Sequence, residues 1–325
     1  MAISDLRDYL YSQRRKFFWR YLFNRRFNFK HLNLDFFRFY SSLDFGIDYD
    51  GNRRMLRKFP KLSDLIQFYR TTAPLSIYIS THRIEEVLPF LESICDDFNG
   101  IVIIDPLDQS ICERPFWLPK NAIWCAPHLQ NATTSDGVCL PVGVTNAWMW
   151  QYGRASLFQN TKIKSKLVLS GPYGPTHNSR NTLNSSLEPL SFVDCFDERL
   201  SPNKYSQLAS QYAFTLSPRG NGIDTHRFWE SLYRGSIPIV NSSEWSSHFS
   251  ELGITLLAVD SFLDLQQYSP QDLWSFYLEN SIRIHECELL DPYFWLRKLE
   301  LLTINHLQRR NVSMQSLEIF RIINK

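Results

Sequence analysis

The sequence predicts an α/β fold made of two Rossmann-like units, each built on a parallel sheet. Three observations carry this. Short runs rich in Val, Ile and Leu alternate with helical patterns, which is the signature of strands joined by helical crossovers. The alternation comes in two series, separated by a polar linker at 151–165. A chain of 325 residues with 44% apolar content fits two cores better than one or three. A charged fraction of 21% with 12 Gly and 16 Pro excludes disordered, collagen-like and low-complexity classes.

In chain order, residues 31–70 are mixed and aromatic, with a turn signal at Asp48–Asn52. The first series then reads as strand Leu75–Ile79, helix Glu85–Asp96 and strand Gly100–Ile104 ending in Asp105. Short strands follow at Ala122–Cys125 and Cys139–Val144. The second series reads as strand Lys166–Leu169, helix Arg180–Leu190, strand Ser191–Asp194, helix Lys204–Gln211 and strand Tyr212–Leu216. It continues with helix Thr225–Arg234, strands Ser236–Val240 and Ile254–Val259, and helical patterns at 271–288 and 292–308. The expected organisation is an extension at 1–60, a first unit at 61–155 and a second unit at 160–325.

The net charge of +2 is the sum of unlike parts. Residues 1–30 hold eight Lys/Arg and two Asp, a local +6, leaving −4 for residues 31–325. Nine aromatics are interleaved with those basic residues. Such a helical extension could lie on an anionic membrane surface, or its Leu6, Leu10, Phe17 and Tyr21 side could pack on the body. Nothing in it resembles a nucleic-acid-binding module, and no nucleic-acid partner is expected. The six cysteines form no CxxC pair and no His/Cys zinc spacing. Scattered thiols and the absence of an apolar signal-peptide core point to a cytoplasmic protein, with the inner membrane face as the alternative place.

The most informative stretch is Phe214–Glu230, FTLSPRGNGIDTHRFWE, followed by SLYRGSIPIV to Val240. It reads as strand, glycine loop, helix, glycine stop, strand. Gly220 and Gly222 flank Asn221, so the backbone can turn tightly and present N–H groups. Asp224 or Thr225 caps the helix, and Gly235 falls where a helix-ending glycine belongs. A loop opening onto a helix N-terminus suits an anion, and Arg219 and Arg227 add positive charge fit for a diphosphate. Glu230, on the same helix face as Arg227, is placed to accept hydrogen bonds from ribose hydroxyls. A bland reading treats Arg227 and Glu230 as a surface ion pair. The loop is neither GxGxxG nor GxxxxGK[ST], which disfavours dinucleotide dehydrogenases and P-loop NTPases.

This stretch resembles the donor-binding half of exostosin-like glycosyltransferases. It is similar to the ribitol xylosyltransferase C-terminal domain and, more distantly, to α1,3-fucosyltransferases, which carry Lys in place of the Arg. The resemblance is strong over 205–245, supportive over 166–270 and absent over 1–150. It implies the GT-B arrangement, with two Rossmann-like domains facing a central cleft, and a UDP-sugar donor. By position it implies that Arg227 holds the donor phosphates and Glu230 the ribose or base. The loop SGPYGPTHNSR, Ser170–Arg180, would add Arg180 as a second phosphate ligand.

Sugar transfer then needs a clamp on the leaving group, a base for the acceptor hydroxyl and exclusion of water. The clamp is Arg180, Arg219, Arg227 and the Gly220–Gly222 loop. With these cations, no convincing DxD triplet with its usual flanking strand, and the wrong spacing at Asp105–Asp108, no metal and no cofactor beyond the nucleotide-sugar substrate are expected. The acceptor would be a glycan or a lipid-linked saccharide. For an inverting reaction the base comes from the first unit at a strand's carboxyl end. His82 fits best, ahead of Asp105 and His128. Trp148, Trp150 and Tyr152 could stack on glycan. The competing reading is an inactive glycosyltransferase-like protein that binds nucleotide-sugar or glycan without turnover.

Overall fold

Two five-stranded parallel sheets organise the chain, as seen in a computed structural model that describes residues 43–45, 61–107, 109–133, 136–144 and 163–309. The basic extension at 1–30, the turn at Asp48–Asn52, the aromatics Trp148, Trp150 and Tyr152, and most of the 151–165 linker lie outside the described residues.

The first sheet contains β1 (Leu43–Phe45), β2 (Ser76–Ser80), β3 (Ile101–Asp105), β4 (Ile123–Ala126) and β5 (Val138–Cys139), ordered as numbered. Helices α1 (Leu62–Thr72) and α2 (Ile84–Ser93) precede β2 and β3. Ile101, Val102, Ile103 and Ile104 are all fully buried, as expected of a parallel strand covered on both faces. β1 pairs with β2 through Leu43↔Ile77, although it falls in the stretch assigned by sequence to the extension. The strand expected over Cys139–Val144 stops at Cys139. Pro141 has no N–H for a ladder, and the Val142 N–H is bonded to the Asp224 carboxylate instead.

The second sheet contains β6 (Lys166–Ser170), β7 (Val193–Cys195), β8 (Tyr212–Leu216), β9 (Ile237–Asn241) and β10 (Leu257–Val259). Between and after them come α3 (Leu183–Leu187), α4 (Pro202–Ala209), α5 (His226–Tyr233), α6 (Glu244–Glu251), α7 (Pro270–His285) and α8 (Pro292–Arg309). The spatial order is β10-β9-β8-β6-β7. The chain therefore runs outward from β6 to β7, then returns to the other side of β6 as β8. That reversal makes the β6/β8 boundary a topological switch point.

Two helices depart from expectation. The helix expected over Arg180–Leu190 is broken into a 3₁₀ turn at Asn178–Arg180 and the short α3. Here the Ser185 and Ser186 hydroxyls bond back to the Thr182 carbonyl, and Asn184 is buried and bonded to Ser170, Phe196 and Asp197. Such side-chain bonds compete with helical continuity. α6 lies outside the helices expected from sequence; Ser243 and Ser246 form its capping box, and Trp245 and Phe249 are buried at i,i+4.

α5 is fixed from beneath by aromatic packing. Phe228 and Trp229 are fully buried and make edge-on contacts with each other, with Trp245 and with Phe249 at centroid distances of 5.0–5.2 Å. The high aromatic content thus serves as the floor of the most informative helix. No described helix is long and apolar enough to cross a membrane. All six cysteines are free thiols.

Candidate functional site

The loops after β6 and β8 meet at the switch point, where ligands of such sheets bind. The β6 loop supplies Tyr173, Thr176 and Arg180. The β8 loop supplies Arg219, Gly220, Asn221 and Gly222, and α5 opens with His226 and Arg227.

Arg180 ties the two loops together. Its Nε donates to the Arg219 carbonyl at 2.8 Å, Nη2 to the Pro218 carbonyl at 2.7 Å and Nη1 to Thr176 Oγ1 at 2.9 Å. Much of its donor fork is therefore spent on holding the β8 loop. Gly220 lies against it: a Cβ there would fall 3.3 Å from Arg180 Nη2. Arg227 donates to the carbonyls of Gly171 and Pro172 at 3.2 and 2.6 Å. Its guanidinium lies over the Tyr173 ring at 4.7 Å and the Tyr205 ring at 5.3 Å, so two aromatic faces contact the cation.

Burial, together with the nearby Arg227 charge, pulls the Arg180 pKa down to about 10. Among the described residues, none of Arg180, Arg219 and Arg227 is ion-paired with a carboxylate. The ion pairs there join Arg114 to Asp136, Lys120 to Asp96, Lys166 to Asp194, Arg234 to Glu230 and Arg297 to Asp291. Arg219 Nε and Thr225 Oγ1 are also buried without a hydrogen-bond partner among the described residues. Converging cations and orphaned polar atoms at one place are costly unless an anion completes them.

The remaining expected donor contacts are rearranged. Glu230 pairs with Arg234, at 3.7 Å, rather than with Arg227. Asp224 is not the N-cap of α5. Its carboxylate is buried and accepts from Val142 N–H at 2.8 Å and Trp229 Nε1–H at 2.7 Å. Burial raises its pKa to about 7 against those hydrogen bonds. Thr225 is the N-cap residue of α5, but its side chain makes no capping bond. Asn221 is exposed, and its carbonyl accepts from Arg219 Nη2 at 3.4 Å.

The three base candidates follow adjacent strands of the first sheet. His82 is exposed, in the 3₁₀ turn after β2. Both Asp105 oxygens are engaged, Oδ2 by the Tyr78 hydroxyl and Oδ1 by the Leu107 N–H, each at 2.9 Å. His128 is buried, and its Nδ1 accepts from the Asp224 N–H at 3.2 Å. Of the two histidines, only His82 offers an exposed ring.

Two residues that sequence reading passed over complete the site. Tyr173 and Tyr205 clasp Arg227, and Tyr205 also covers Arg234 at 5.4 Å. The Tyr205 hydroxyl is buried without a hydrogen-bond partner among the described residues. If this place takes a diphosphate, Tyr205→Phe is expected to bind it as the parent does, while Tyr205→Leu weakens binding by about 5- to 30-fold, the equivalent of about 1–2 kcal/mol of cation–π contact. Calorimetric titration of the two variants checks this.

No protein-family model matches the chain, and no curated protein matches it. Among solved structures it is similar to AviGT4, a glycosyltransferase involved in avilamycin A biosynthesis. The identity is 11%, covering 70% of this chain and 85% of that one, with a TM-score of 0.38. It is also similar to the spinosyn rhamnosyltransferase SpnG complexed with thymidine diphosphate, at 10% identity over 76% of this chain and 78% of that one, with a TM-score of 0.37. Likenesses this distant leave the reading of the site to its own geometry.

Proposed function

We propose that the chain is a GT-B, exostosin-like glycosyltransferase that moves a sugar from a nucleotide-sugar, UDP-linked by preference, to a saccharide or lipid-linked acceptor. The observation that carries this reading is the set of Arg180, Arg219 and Arg227 at a switch point with no carboxylate partner among the described residues. A diphosphate supplies the missing negative charge, and α5 directs its N-terminus at the same place. The second unit holds the donor, and the first presents the acceptor.

In the reaction the acceptor hydroxyl oxygen attacks the anomeric carbon and its proton passes to His82. The bond from that carbon to the phosphate oxygen breaks, and its electron pair leaves with the nucleoside diphosphate. Arg227, in contact with the Tyr173 and Tyr205 rings, stabilises the developing charge, and Arg219 adds to it. Inversion follows from single displacement. The arginines provide the charge stabilisation, so the proposal is of metal-independent transfer.

A panel of sugar nucleotides, assayed for nucleoside diphosphate release in the presence of a chelator, tests the reading. Release from at least one donor, lost in His82→Ala while UDP still binds, is the expected result. Activity that appears only with added manganese overturns metal independence. UDP binding without release from any donor replaces the enzyme with a nucleotide-sugar-binding protein, and no UDP binding removes the proposal altogether.

A further inference from the structure

We propose that His128, in the first unit, is a positioning residue for the donor loop of the second: its ring shapes the Gly222–Asp224 segment and so aims Arg219 and Arg227 at a diphosphate. This rests on the anion-site reading above. Three bonds cross from the first unit to the few residues ahead of Arg227. Asp224 N–H donates to His128 Nδ1 at 3.2 Å, Val142 N–H donates to Asp224 Oδ2 at 2.8 Å, and His226 Nδ1 bonds the Gly143 carbonyl at 2.7 Å. A carbonyl only accepts, so His226 carries its proton on Nδ1. His128 accepts at Nδ1, so it is neutral there.

The fit at Gly222 is the second support. A Cβ on Gly222 would lie 2.3 Å from His128 Nδ1 and 2.5 Å from His128 Cε1. Its neighbour in that direction is thus the histidine ring of the other unit. Glycine at 222 is required by the approach of His128, whatever a phosphate requires in addition. His128 itself has φ of +61°, a backbone state that costs energy for any residue but glycine and is most tolerated by Asn and Asp. Strain of this kind persists where surrounding contacts fix it, and it clusters at functional sites. A buried histidine, a glycine shaped to it and a loop leading into the arginines together link the two units at the donor site.

The test is UDP affinity of the full chain, measured calorimetrically for His128→Ala, His128→Asn, Gly222→Ala and the Ala/Ala double variant, with thermal unfolding recorded alongside. His128→Ala is expected to weaken UDP binding about tenfold in the folded protein, the scale of one lost positioning hydrogen bond. His128→Asn, which keeps an acceptor near the Nδ1 position and suits the positive φ, is expected to recover most of that loss. Gly222→Ala is expected to cost about tenfold in the parent and less than about twofold more once His128 is Ala, because the clash has gone. A purely structural role would move the melting temperature and leave the affinity of the folded fraction alone. Equal costs of Gly222→Ala in both backgrounds, or His128→Ala binding like the parent, overturn the proposal. If His128→Ala does not fold, His128→Leu takes its place, and equal affinities of the Leu and Asn variants overturn it. Absence of UDP binding in the parent would instead overturn the anion-site reading.

Discussion

Arg227→Ala is expected to weaken UDP binding and donor turnover by more than about a hundredfold, the scale seen when a charge-stabilising donor is removed from a preorganised site. The expectation follows from how little in the described structure neutralises this guanidinium. Its held contacts are the carbonyls of Gly171 and Pro172 and the faces of Tyr173 and Tyr205, all of which orient the charge without neutralising it. Removal should therefore cost binding far more than folding. The aromatic floor under α5, with Phe228 and Trp229 at its centre, is untouched by the change. Arg227→Lys should fail to restore affinity, because an ammonium can neither lie flat on an aromatic ring nor reach two carbonyls and a phosphate at once. Calorimetric titration with UDP, beside a thermal melt, checks both variants. An Arg227→Ala protein that binds within about threefold of the parent would remove the arginine trio as the donor site.

The features needed for that expectation were legible in sequence because they are local. A glycine loop, the arginines beside it, a cap and an apolar stripe at Phe228, Trp229 and Leu232 occupy one stretch, and short-range rules read them. Gly235, with φ of +69°, ends α5 where expected. What the sequence left open was set by distant partners. Asp224 is bonded to a residue 82 positions away, so no local pattern could tell a cap from a buried seam carboxylate. Glu230 has arginines within helical reach at both 227 and 234, and only packing decides for Arg234. β1 has three residues, too few for a period to show. His128 presented itself as one base candidate among three, since its burial depends on how the two sheets meet. The arginine-holding role of Tyr205 depends on α4 coming to rest beside α5, which no spacing in the sequence encodes.

Stability is expected to pass through a minimum near neutral pH, because two buried groups titrate there with opposite slopes. Asp224 is raised to about 7 by burial. Between its ordinary value and 7 the folded protein holds a proton that the unfolded chain has released. Its contribution is therefore full at low pH and is lost as pH rises through about 7. Lys164 is lowered to about 7, first by burial and then by the charge of Arg234, while its Nζ donates to Ser210 O, Arg234 O and Ser236 Oγ. From about 7 up to the ordinary lysine range the unfolded chain holds the extra proton. Its contribution is thus present at high pH and is lost as pH falls through about 7. Asp224→Asn separates the two arms. The amide cannot accept as a carboxyl does from Val142 N–H and Trp229 Nε1–H together, and turning its NH₂ toward either sets donor against donor. A loss on the order of 2–4 kcal/mol is expected from such a mismatch at a buried site. The loss should be larger near pH 5, where the folded parent's carboxyl is protonated and much of the Asp224 contribution remains, than near pH 8. Urea unfolding at those two values gives the comparison. A penalty that grows with pH would show that Asp224 is an ordinary carboxylate, stabilised by its charge.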